Sequence, residues 1–71
     1  MSREANFLIY CMERYRQIKS LSGTEVAELF ENYSLGEYII KYFDTLHTMG
    51  DIAIVQDIDE QIASSSAGVI Q

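Results

Sequence analysis

Few side chains in this sequence could do chemistry, and they do not assemble into a recognisable set. His47 is the only histidine, so two-imidazole catalysis and the two-histidine zinc motifs are absent. As a metal ligand it would need Asp44, Asp51 or Cys11 to converge on it, and no known spacing supports that. It stands one turn after Phe43, near the expected end of a helix, where an imidazole can bond a free carbonyl and gain from the dipole. Cys11, the only thiol, falls on an apolar stripe, whereas a nucleophile needs partial exposure and a nearby base. Asp57, Asp59 and Glu60 crowd carboxylates as a calcium loop does, but the glycine and distal glutamate of that loop are missing. Acids in a first helical turn are stabilising without any function. No nucleophile, base and oxyanion donors can be combined, so the expectation is no enzyme, no cofactor and no metal.

Binding is better served than catalysis. Five of the eight aromatic residues are tyrosines, whose apolar bodies and polar tips suit an interface as well as the rim of a core. Tyr10 is the most informative, because it lies off the helical stripe formed by Leu8, Cys11, Met12, Tyr15 and Ile18. Ile52 and Ile54 belong to a short β-branched run, Ile52 to Val55, which suits an extended segment as well as a helix. If extended, that run is alone and its open edges ask for a partner strand. Tyr10, Ile52, Ile54 and His47 are therefore the candidate partner-binding residues, with a second copy of the chain among the possible partners.

These residues must be positioned by helices. Leu35, Tyr38, Ile39, Tyr42, Phe43 and Leu46 recur at helical spacing, which predicts an amphipathic helix over 34–50 as the central element. Ser34 with Glu37 reads as its capping box and Gly50 as its left-handed close. Ser2 is placed to cap a first helix reaching about Lys19, with Arg14, Arg16 and Lys19 complementing its negative end. Ser22 with Glu25 is a second capping box, and Val26, Leu29, Phe30 and Tyr33 follow it as a four-member stripe. Asp57 with Glu60 suggests one more short helix, over 58–63. The expected fold is all-α: a compact three-helix domain with a short extended segment and a short C-terminal helix. Residues 1–63 form its single domain and 64–71 a flexible tail.

Composition narrows the functional classes. The chain has 71 residues, near the lower limit for an unaided core, but its 48% hydrophobic content argues against disorder. One cysteine allows no internal disulfide, and no apolar run is long enough to span a bilayer, so a cytoplasmic protein is expected. Charge is uneven: residues 1–20 hold four basic side chains against two acids, while residues 21–71 hold nine acids against Lys41 alone. The segments at 22–33 and 34–50 could be read as a helix-turn-helix, the basis of an alternative reading as a DNA-associated regulator. The second helix would then face phosphates with Glu37 and Asp44 against one lysine, so no nucleic-acid partner is expected. Negative charge keeps a small protein in solution and steers it towards basic proteins.

The residues Y-F-D-T-L-H-T-M-G-D-I-A-I-V-Q-D-I-D at 42–59, with L-S-G-T-E-V-A-E-L-F at 21–30, resemble a family of short bacterial proteins known as domain of unknown function 3791. The resemblance spans about residues 6–62. It implies a small stand-alone helical protein without an assigned activity, and it carries over no catalytic residue. Members encoded beside ADP-ribosyltransferase-like proteins imply an accessory or antitoxin-like partner. Ala53 departs from the pattern, where a larger and often aromatic residue is expected. The reading that results is a non-enzymatic protein-interaction module with a tyrosine-bearing face.

Overall fold

The computed structural model describes residues 1–70, with side chains through Ser65. The chain is all-α, with no strand among the described residues. Helix α1 runs Arg3–Lys19, α2 Gly23–Asn32, α3 Leu35–Lys41, α4 Phe43–Leu46 and α5 Asp51–Ile70.

The first two helices begin where their caps require. The Ser2 hydroxyl accepts the Ala5 N–H at 3.0 Å and starts α1. Ser22 and Glu25 form a complete capping box, with Glu25 N–H to Ser22 Oγ at 3.0 Å and Ser22 N–H to Glu25 Oε1 at 2.8 Å. A cap of this kind is worth about 1 kcal/mol. α1 ends at Ser20, which is left-handed at φ 57°. Its N–H reaches the Gln17 carbonyl at 3.3 Å, and the Leu21 N–H reaches that of Arg16 at 2.9 Å. That pairing is a Schellman close with serine where glycine is usual. Ser20→Gly should therefore stabilise the protein by about 0.5–1 kcal/mol, the left-handed cost removed less the freedom glycine adds to the unfolded chain. A thermal melt checks this, and a lowered midpoint would contradict it.

The third expected helix is where structure and sequence part. Ser34 is not an N-cap: its backbone is left-handed at φ 52° and its side chain makes no capping bond. An N-cap needs an extended backbone, but α2 and α3 meet with only Tyr33 and Ser34 between them. The reversal takes the left-handed residue, and the cap geometry is lost. The helix then bends at Tyr42 (φ −104°, ψ 23°), dividing 34–50 into α3 and α4. Gly50 does not close the helix left-handed either, because no described glycine has positive φ. Its carbonyl instead accepts the Ile54 N–H at 3.0 Å and starts α5.

The short extended segment is also corrected. Ile52 to Val55 are the first turns of α5, so there is no lone strand seeking a partner. Ile54, Val55 and Ile58 fall on one face of that helix and are all buried. Burial of this face outweighs the modest helix-propensity cost of β-branched side chains. Asp57 and Glu60, expected to open a helix, lie in its interior. The expected tail, 64–71, coincides with the last turns of α5 as far as Ile70; its side chains beyond Ser65, and Gln71 entirely, lie outside the described residues.

The central position belongs to α1, which packs against α2, α3 and α5. Cys11 and Tyr15 from α1 meet Val26 and Phe30 of α2, Leu35 and Ile39 of α3, Leu46 of α4 and the buried face of α5. Ala53 is exposed, so its small size removes nothing from this core. No described helix is long and apolar enough to cross a membrane.

Candidate functional site

Three tyrosines reach across to three aspartates of α5. The Tyr15 hydroxyl donates to Asp59 Oδ1 at 2.6 Å, Tyr38 donates to Asp57 Oδ2 at 2.6 Å, and Tyr10 donates to Asp51. Two cations join them: Arg14 Nε lies 2.7 Å from Asp51 Oδ2, and Lys19 Nζ lies 2.5 Å from Asp59 Oδ2. Asp57 and Asp59, which look like helix caps or calcium ligands in sequence, are thus acceptors that, with Asp51, fasten α5 to α1 and α3.

Their acidities follow from that role. The Tyr10 hydrogen bond and then Arg14 hold Asp51 below the ordinary carboxylate range. Burial pushes Asp59 up, but its bonds to Lys19 and Tyr15 overcome this and leave it lowered. Burial and the Asp57 bond push the Tyr38 phenol up to about 12. Tyr15 is raised by burial and by Asp59, and Tyr10 chiefly by its bond to Asp51. All three hydroxyls remain protonated donors at neutral pH.

The candidates for chemistry are placed as follows. Cys11 is 1% exposed, and burial pushes its thiol up to about 12, so it is neither accessible nor ionised at neutral pH. His47 stacks on Phe43 with ring centroids 4.6 Å apart, and its Nδ1 sits 2.8 Å from the Phe43 carbonyl. In the neutral imidazole Nδ1 then carries the proton and donates. No three histidine, cysteine or acidic side chains are grouped to hold a metal among the described residues.

The four candidate binding residues are not brought together as one surface. Ile54 is 4% exposed and belongs to the core, since the helix turns it inward where a strand would have turned it out. Ile52 is 61% exposed, next to the Asp51 that Tyr10 bonds. Tyr10 and His47 lie at opposite ends of a row of rings. Tyr10 is followed by Phe7 at 6.3 Å, Phe43 at 5.4 Å and His47, with the Arg3 guanidinium 5.2 Å from the Phe43 centroid.

A different group forms a concave feature among the described residues. Tyr33, Ser34, Glu37, Tyr38, Lys41, Tyr42 and Gln61 line a groove of about 330 Å³ between α3 and the middle of α5. The rings of Tyr38 and Tyr42 are 5.0 Å apart and inclined at 50°, and the Lys41 ammonium lies 5.5 Å from the Tyr42 centroid. Tyr42 had a place on the apolar stripe of the expected helix, yet it is 45% exposed. The bend that splits this helix lies at Tyr42 itself, between the buried Ile39 and Phe43. Sequence reasoning missed this groove; the excess of tyrosines was its one visible signal.

A family model described as "Protein of unknown function (DUF3791)" matches residues 6–64. No curated protein and no solved structure matches the chain.

Proposed function

We propose that this chain, which belongs to the DUF3791 family of proteins of unknown function, is a non-enzymatic interaction module that serves as an accessory or antitoxin-like partner of another protein. One observation carries the reading: the groove edged by Tyr33, Tyr38 and Tyr42. Tyrosine is favoured where a binding surface must be apolar in body and wet at its edge, and its rigid side chain, with only two torsions, loses little freedom on contact. The tyrosine–aspartate bonds support the reading, because Tyr38 is held in place by Asp57 before any partner arrives. A wall already fixed loses less entropy on binding.

The chemistry of the lone thiol points the same way. A thiol held near pH 12 by burial cannot act as a nucleophile at neutral pH.

The test is capture of the partner from the native cell by a tagged chain, compared with Tyr42→Ser and Ile9→Ser. Both residues are exposed, so both variants should melt as the parent does. Tyr42→Ser should lose the captured protein and Ile9→Ser should keep it. Retention by Tyr42→Ser would overturn the reading, as would a salt-dependent shift of duplex DNA at physiological ionic strength, which belongs to a regulator.

A further inference from the structure

The groove holds a cation of its own. Lys41 lines it, and the Lys41 ammonium rests over the Tyr42 ring at 5.5 Å. The face of a phenol ring is electron-rich and draws a cation placed within about 6 Å. The same wall carries the Glu37 carboxylate, and the Tyr38 ring stands at 50° to that of Tyr42. Two inclined rings and a carboxylate around a space of about 330 Å³ form a receptor for a weakly hydrated, planar cation.

Charge agrees with this from a separate direction. The whole chain carries eleven acids against five basic side chains, a net charge of −6. A field of that sign gathers basic segments and repels a second copy of the same face. An ammonium is compact and strongly hydrated, whereas a guanidinium stacks flat on a ring and can fork onto a carboxylate at the same time.

We propose that the groove between α3 and α5 receives an arginine side chain of a basic partner segment, its guanidinium stacking on Tyr42 and pairing with Glu37 in the place Lys41 now partly fills. The inference rests on the interaction reading above and names the group that the partner inserts. Lys41 is then a tethered competitor: it keeps the ring occupied when the partner is absent and must move aside for arginine to enter.

The experiment is a titration of the isotope-labelled full chain, followed by its amide NMR signals, with the peptide acetyl-Gly-Arg-Gly-amide and its lysine counterpart. The arginine peptide should shift the signals of Tyr33, Glu37, Tyr38 and Tyr42, and should bind more tightly than the lysine peptide. Lys41→Ala should tighten arginine binding about threefold by clearing the ring. Glu37→Gln should weaken it about fivefold, and Tyr42→Ser should abolish the shifts. All three residues are exposed, so unchanged melting temperatures will show that the fold is intact. Equal binding of the two peptides, or weaker arginine binding by Lys41→Ala, overturns the proposal. If Tyr42→Ser loses the captured partner while the arginine peptide leaves the groove signals unmoved, this inference fails and the interaction reading stands. A partner that survives Tyr42→Ser removes both.

Discussion

Ile58→Ala should lower stability by about 2–5 kcal/mol, the range for deleting a fully buried aliphatic side chain. Ile58 is 0% exposed and lies on the face of α5 that also buries Ile54 and Val55. Removing its outer carbons leaves a cavity that α1 and α3 cannot both collapse to fill, since Tyr15 and Tyr38 hold them to α5 through Asp59 and Asp57. A chain this small has about 4–11 kcal/mol of stability in all, so the variant gives up between a fifth of it and the whole. The melting midpoint, followed by circular dichroism, should fall by about 8–40 °C. Ile52→Ala, on the exposed side of the same helix, should change stability by no more than about 0.5 kcal/mol. Equal losses in the two variants would mean that α5 is not docked through the Ile54–Ile58 face.

Raising the pH from 9 to 12 should destabilise the protein progressively. The thiol of Cys11 is pushed up from 9.0 to about 12 by burial and by the negative charge of Asp51. A folded-state pKa above the unfolded one means that the unfolded chain loses its proton first. Stability from this group is complete below pH 9 and declines as the pH rises towards 12. The loss through Cys11 alone is about 4 kcal/mol over that interval. Tyr38, pushed up from 10.0 to about 12, adds to the decline above pH 10 in the same sense. In Cys11→Ala the decline should begin at pH 10 rather than 9, because the groups that folding still raises are then the tyrosines. The readout is the slope of melting temperature against pH, which is separate from the constant loss caused by the smaller side chain. An unchanged slope between pH 9 and 10 would show that Cys11 is not buried in the folded protein.

Much of the fold was legible because local signals act over three or four residues. Ser2, Ser22 and Glu25 cap the helices that their spacing announces, and Cys11, Tyr15, Val26, Phe30, Leu35, Ile39 and Leu46 are buried where the apolar period places them. The family resemblance over about 6–62 agrees with the match over 6–64. The misreadings share a cause. Ser34, Gly50 and Ile52 to Val55 each present a motif whose local meaning is overruled by what must pack beyond it. Ser34 has the residue type of a cap but must reverse the chain, and the β-branched run becomes helical because one face of it is buried.

The candidate site was less legible for a similar reason. Tyr10 lies off the stripe and is 44% exposed, but Ile54 went to the core once α5 proved helical. Tyr33, Glu37, Lys41, Tyr42 and Gln61 come from the turn before α3, α3 itself, the bend after it and α5. Nothing in their sequence spacing relates Gln61 to Tyr38.

The amino-acid order alone determined the helical class, the first two helix starts, most of the core and the uneven charge, since each depends on neighbours along the chain or on composition. Tertiary structure decided that Asp51, Asp57 and Asp59 are acceptors for tyrosine hydroxyls, that Tyr42 faces outward, and that α5 is one continuous helix. Those outcomes turn on contacts between residues 19 to 44 positions apart and on which face of a helix finds something to bury against. No local rule contains that information.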